Sequence, residues 1–231
     1  PEMAPVKYAA EFKIDLHRLV SPIAFAISNE TTRYYLCGIY LHTVNGELKA
    51  AATDGHRFAL NRAPLAAEFD GIILPTKAVS LVPQGEIAFS VSGTKIKIVA
   101  ADWEMESKLI DGTYPDYVRI IPTGNDKIIT VDNATMRAAA DRVATVSQEK
   151  SRAVKIAVDA GRVTLSVSGV SGDATEEFEC DYADEAITFG LNSQYLAAEA
   201  SMFPAGPLTI AVSDAGSPVL FTSAGAPELL G

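Results

Sequence analysis

At 231 residues the chain is long enough for two domains of about 115 residues, each able to bury its own core. Apolar residues at 48% and charged residues at 21% exclude a disordered chain. No run approaches the roughly 18 apolar residues of a membrane span, and the N-terminus lacks a basic-then-apolar secretory pattern, so the expected compartment is the cytoplasm, with no membrane partner. A net charge of −10, from 29 acidic against 19 basic residues, argues against a high-affinity nucleic-acid binder unless the basic side chains gather on one surface.

The sequence reads twice. Residues 12–61 and 129–182 share one order: a hydrophobic strand start, an acidic helix cap, an amphipathic helix, then short strands. Ile14-Asp15 aligns with Val131-Asp132, and Leu74-Pro75-Thr76-Lys77 with Leu191-Asn192-Ser193-Gln194, at an offset of about 117 residues. A repeat this long is too large for a solenoid unit and suits a domain that multiplies to build a larger symmetric object.

In chain order, Leu16, Leu19, Val20, Ile23, Ala24 and Ile27 follow Asp15 at helical spacing and predict a helix buried on one face, with Arg18 and Phe25 opposite. Pro22 falls inside it, removes a hydrogen bond at a cost of about 3 kcal/mol, and predicts a kink or a late start. Asn45-Gly46 reads as a hairpin turn. Lys95-Ile96-Lys97-Ile98 alternates as a half-buried strand. The polar-aromatic stretch of Lys108-Leu109-Ile110-Asp111-Gly112 and Tyr114-Pro115-Asp116-Tyr117 reads as an interdomain linker. In the second copy, Asn133, Met136, Ala140, Val143 and Ser147 repeat the helical stripe, with Arg137 and Arg142 lying away from it. Ala160-Gly161 is a second hairpin turn, and Arg162 to Val167 and Leu208 to Val212 alternate as strands. Cys37 and Cys180, one per repeat in strand-like apolar surroundings, are expected to be buried reduced thiols. The fold class is α+β, with two helices per domain packed on an antiparallel sheet.

Residues that usually carry chemistry are sparse. His17, His42 and His56 lack metal-ligand spacing, and neither cysteine has a near partner. Thr53-Asp54-Gly55-His56-Arg57 offers an acid and an imidazole, yet Asp-Gly marks a turn and no nucleophile has a readable partner. Gly169-Val170-Ser171-Gly172 lacks the Lys-Ser or Lys-Thr of a phosphate-cradling loop. No cofactor or catalytic site is legible.

Four blocks in order carry a family resemblance: Arg33-Tyr34-Tyr35-Leu36-Cys37-Gly38-Ile39, Ala52-Thr53-Asp54-Gly55-His56-Arg57, Ser107-Lys108-Leu109-Ile110-Asp111-Gly112 and Tyr114-Pro115-Asp116-Tyr117. The match continues through Phe189-Gly190-Leu191-Asn192 to Ser217-Pro218-Val219-Leu220. Jointly they resemble the bacterial DNA polymerase III β subunit, the replicative sliding clamp. The resemblance implies two tandem DNA-clamp domains, 12–124 and 125–231, the family's middle and last, whose helices line the interior of a ring. Residues 1–11 resemble the link after a first domain, and the family's final strand and tail are expected beyond Gly231. Two explanations follow: a piece of a three-domain clamp, favoured by the missing tail, or a two-domain variant whose ring needs three copies.

The implied function is a processivity factor that encircles double-stranded DNA without sequence specificity. It has no catalysis of its own and tethers the polymerase III α subunit, the clamp loader, other polymerases and repair proteins through short linear motifs. The alternative is a non-ring docking module. By position, the resemblance places the motif cleft at Leu36, Thr53, Gly55, His56, Arg57, Phe58, Pro115, Arg119, Ile120 and Pro218. Arg18, Lys77, Arg137 and Arg142 are the expected lining cations, and Arg33, Tyr34 and Tyr35 match a loop that projects toward DNA.

Overall fold

The computed structural model describes residues 7–145, 153–169 and 172–231 and divides into two compact units, one ending at Tyr117 and the other starting at Val118. The division falls within the Tyr117–Ile120 3-10 turn, seven residues before the expected boundary. Ser147 of the predicted stripe and Val170-Ser171 lie outside the described residues.

The first unit runs β1 (Ala10–Ile14), α1 (Leu16–Val20), 3-10 segments Ser21–Ala26 and Thr31–Leu36, β2 (Gly38–Val44), β3 (Glu47–Thr53), β4 (Phe58–Pro64), β5 (Ile72–Pro75), α2 (Thr76–Val79), β6 (Ile87–Val91), β7 (Lys95–Ala100) and β8 (Trp103–Lys108). Its strands form two antiparallel sheets, ordered β1-β6-β7-β8 and β4-β3-β2-β5. Ala10 and Glu11, read as part of a link, already belong to β1 and pair with Val91 and Ser90.

The second unit repeats the plan: β9 (Lys127–Asp132), α3 (Asn133–Ala144), β10 (Ala153–Asp159), β11 (Arg162–Gly169), β12 (Gly172–Glu179), β13 (Ile187–Asn192), α4 (Ser193–Met202), β14 (Pro207–Val212) and β15 (Leu220–Thr222). Its sheets are ordered β12-β11-β10-β13 and β15-β14-β9. Gly231 exchanges two backbone hydrogen bonds with Phe221, at 2.7 and 3.1 Å.

The predicted repeat is physical. Asp15 accepts from the Arg18 amide and Asp132 from the Thr135 amide, so equivalent carboxylates cap equivalent helices. The two hairpin turns also correspond: Asn45-Gly46 has φ of 54° and 77°, Ala160-Gly161 has 46° and 79°. Both central residues in the left-handed region match the twist of the flanking strands. The units differ in their helices. Pro22 stops α1 after one turn and the chain continues as 3-10 helix, whereas α3 keeps 12 residues. Both cysteines are free thiols but half-buried rather than buried, and Cys37 sits at the end of a 3-10 segment, not in a strand.

Candidate functional site

The β4-β3-β2-β5 sheet has two working faces. On one, Ile39, Leu41, Leu48, Ala50, Ala52, Ala59 and Leu74 are fully buried beneath the α1 region. There the Asn61 amide, 3% exposed, donates to the Arg18 and Leu19 carbonyls at 3.1 and 2.8 Å. Pro22 has no N–H for the Arg18 carbonyl, and Asn61 supplies the missing donor.

The second face carries Tyr40 and His42 on β2, with Thr53 and Phe58 paired across β3 and β4. The chain leaving β8 lies over it, fastened first by the Ile110 amide to the Ile73 carbonyl at 3.0 Å. Tyr114 stacks on Tyr40 at 4.9 Å and 5°, and Tyr40 on His42 at 4.9 Å and 22°. Tyr117 stacks on Phe58 at 5.2 Å, and its hydroxyl shares a 2.8 Å hydrogen bond with His42 Nε2. The stretch that reads as a linker is therefore anchored: Tyr114 and Tyr117 are 8% and 5% exposed.

Burial sets the protonation of this cluster. Desolvation, then the nearby Lys49 charge, holds His42 below the usual imidazole range. Desolvation, with Tyr40 and Asp116 nearby, pushes the Tyr117 hydroxyl up to about 12. The Tyr114 hydroxyl is also raised by desolvation; it faces the Thr53 backbone without a well-formed hydrogen bond.

Beside the cluster runs the 53–58 turn. The Thr53 hydroxyl donates to the Arg57 carbonyl at 2.6 Å and accepts from the Gly55 amide at 3.1 Å. Asp54 Oδ1 accepts from the His56 and Arg57 amides at 2.9 and 3.1 Å, while Oδ2 takes Arg57 Nε at 3.0 Å. The Asp54 carboxylate thus builds the turn. The Arg57 guanidinium lies 5.1 Å above the Phe25 ring, a cation-π contact with the residue predicted to face away from the helix stripe. Gly55 takes φ of +91°, which a side chain adopts only with strain.

The predicted docking residues fall into three groups. Gly55, His56 and Pro115 are exposed and Arg57 and Phe58 half-buried, so the first unit brings these five together as a ledge beside Tyr117. Leu36 and Thr53, at 3% and 7% exposed, offer little wall area; the Thr53 hydroxyl is spent on the turn. Arg119, Ile120 and Pro218 belong to the second unit, where all three are exposed; Ile120 is 52% exposed and the Pro218 carbonyl is held by the Asn125 amide at 2.9 Å.

Of the predicted DNA-facing residues, Arg18, Lys77 and Arg137 are exposed on their helices. Arg142 makes a bidentate pair with Glu176 at 2.7 and 2.9 Å. Tyr34 is 53% exposed and edge-on to Tyr35, whereas Arg33 turns inward: Nε meets Glu30 at 2.7 Å and Nη2 donates to the Asp54 carbonyl at 2.9 Å. Sequence reasoning missed the supporting stack of Tyr40 and His42 and the Phe25 ring under Arg57. The alternation Tyr40-x-His42 was the available signal, but which sheet face it occupies is set by long-range packing.

Each unit is a clamp domain, and the chain is two of them in tandem. The DNA polymerase III beta subunit central domain matches residues 13–116, and the C-terminal domain of the same subunit matches residues 118–229. The chain belongs to the DNA polymerase III beta subunit family. It is 43% identical over 220 residues to the beta sliding clamp of Caulobacter vibrioides, covering 89% of this chain and 59% of that protein. The Pseudomonas putida beta sliding clamp is 31% identical, with 91% and 60% covered. Among solved structures, the Bartonella birtlesii sliding clamp bound to griselimycin superposes with a TM-score of 0.93 at 36% identity over all of this chain and 66% of its own. The DNA polymerase III beta subunit of Pseudomonas aeruginosa gives 0.94 at 27% identity, again over 66% of its length. The chain thus spans less than two thirds of these relatives.

Proposed function

We propose that this chain acts as part of a replication processivity factor, in the cytoplasm, by encircling duplex DNA without reading its sequence and tethering the polymerase III α subunit, the clamp loader and other repair and polymerase partners by short linear motifs. It performs no chemistry of its own. A topological collar needs only weak, mobile phosphate contacts, which fits a chain of net charge −10 whose exposed Arg18, Lys77 and Arg137 sit on helices. The observation that carries the docking half is the first unit's ledge: a half-buried aromatic, Phe58, backed by Tyr117 and flanked by exposed Gly55, His56 and Pro115. Such a surface offers apolar area to a Leu or Phe anchor, Gly55 permits close backbone approach, and Arg57 presents charge to a motif's carbonyls or acidic flank.

The test is a fluorescence-polarisation titration with a labelled clamp-binding pentapeptide. Saturable binding that weakens about tenfold in Phe58→Ala supports docking at the ledge. Binding unchanged in that variant, in protein that remains folded, refutes it. A second reading, motif docking without encirclement, is favoured by the engagement of Arg33 with Glu30 and of Arg142 with Glu176. Retention on closed circular DNA and release on linearisation distinguish the two.

A further inference from the structure

Phe58, the aromatic of the ledge, stacks on Tyr117 at 5.2 Å and 24°. Tyr117 leans in turn on His42, ring to ring at 5.7 Å, and shares the 2.8 Å hydrogen bond with its Nε2. Phe58 belongs to β4 and His42 to β2, so Tyr117 reaches across the sheet and stands between the ledge and the imidazole. Pro115, a second ledge residue, lies in the chain between Tyr117 and Tyr114; Tyr114 stacks on Tyr40, and Tyr40 on His42. Two ledge residues therefore rest on rings that both lead back to one half-buried imidazole. The charged groups around it come from three elements. From β3, Lys49 directly opposes His42 and is itself opposed by Arg62 of β4, and Glu47 pairs with both at 3.9 and 3.8 Å. From the covering chain, Asp116 lies close enough to act on Tyr117. Desolvation first and Lys49 next oppose a charge on His42, while the Tyr40 face favours one.

We propose that His42 is a positioning residue for motif docking: through the Tyr117 hydroxyl and the Tyr40–Tyr114 stack it holds the rings that set Phe58 and Pro115, and a proton on the imidazole loosens that support. The inference rests on the docking reading above and adds its regulation. A neutral imidazole completes the bond to the Tyr117 hydroxyl in either tautomer, as acceptor or as donor at Nε2. An imidazolium can only donate there, and it is a charge held against two tyrosine rings. Such a charge is stabilised by water, and Tyr117, 5% exposed, is part of what keeps water out. The protonated state therefore favours a Tyr117 ring displaced from the sheet, which removes the stacking partner of Phe58. A motif seated on Phe58 favours the closed arrangement and with it the neutral imidazole, and linkage makes the two effects reciprocal. The support is present above the ordinary imidazole value and is lost as pH falls through the depressed value of the folded chain.

The experiment is a polarisation titration of this chain with a labelled clamp-binding pentapeptide, blocked at both ends and free of ionisable side chains, between about pH 5 and 8. It compares wild type, His42→Gln, His42→Ala and His56→Gln, with circular dichroism melting at each pH to confirm that every variant is folded. Wild type should bind about fivefold more weakly at the acid end, the low end of ordinary coupling, and should never lose more than about tenfold per pH unit, because one proton is involved. His42→Gln, whose amide can still meet the Tyr117 hydroxyl but does not titrate, should keep the alkaline wild-type affinity at every pH. His42→Ala should bind weakly throughout. Rescue by glutamine together with a flat pH profile is the outcome that a merely structural role would not give. His56→Gln, which removes the imidazole on the ledge itself, should keep the wild-type profile. A pH dependence that survives in His42→Gln and disappears in His56→Gln would overturn the inference, as would a wild-type affinity that ignores pH or a His42→Ala variant that binds as tightly as wild type at pH 8. Failure of wild type to bind the peptide at pH 8 would instead refute the docking reading itself.

Discussion

Tyr117 closes the first unit, and its removal should be felt across the whole second face of the β4-β3-β2-β5 sheet. The side chain is 5% exposed, stacks on Phe58 at 5.2 Å, tilts against His42 at 5.7 Å and hydrogen-bonds His42 Nε2 at 2.8 Å. Truncating a buried aromatic to alanine costs about 3–5 kcal/mol, the lost area together with an incompletely collapsed cavity. Tyr117→Phe keeps ring and stacking and removes only the hydroxyl, leaving the half-buried His42 nitrogen without its partner, for about 1 kcal/mol. Trp103, the chain's single tryptophan, lies in β8 of the same unit and reports its unfolding. Urea titrations followed by Trp103 fluorescence should therefore order the midpoints wild type, Tyr117→Phe, Tyr117→Ala, with unchanged slopes. An alanine variant that unfolds with the wild-type midpoint would refute the claim that the 109–117 stretch is anchored to this unit.

Three further outcomes are expected. Because burial lowers the His42 pKa, the unfolded chain binds more protons than the folded one near pH 6; the stability of the first unit is fully present above the ordinary imidazole value and is lost as pH falls through that value toward the depressed folded one. His42→Gln should flatten the dependence of the Trp103 transition between about pH 5 and 7. Gly55→Ala should destabilise the first unit by about 1–2 kcal/mol, since φ of +91° is unfavourable for alanine and the new methyl displaces the end of Arg33; thermal melting checks it, and an unchanged melt would show that the turn relaxes freely. Glu176→Gln should release Arg142 and steepen the salt dependence of DNA association by about one phosphate contact, read from affinities at several salt concentrations.

The local rules carried far because they are written in short spacings. The repeat was legible because Asp15 and Asp132 perform the same capping task, and because Asn45-Gly46 and Ala160-Gly161 make the same left-handed turn. Pro22 announced its break for a covalent reason, the missing N–H. The family's motif blocks singled out Gly55 to Phe58 and Pro115 before the geometry of their turn was known. What the sequence left open was which groups meet across long separations. That Asn61 caps the α1 carbonyls, that Tyr114 and Tyr117 lie down on Tyr40 and Phe58, and that Leu36 is buried depend on the faces of a sheet assembled from distant strands. Arg33 shows the difference most sharply. A lone arginine beside two tyrosines is polar and long enough to reach solvent or a neighbour equally well. Only the fold, by bringing the Asp54 carbonyl 2.9 Å from it, decides that it faces the turn.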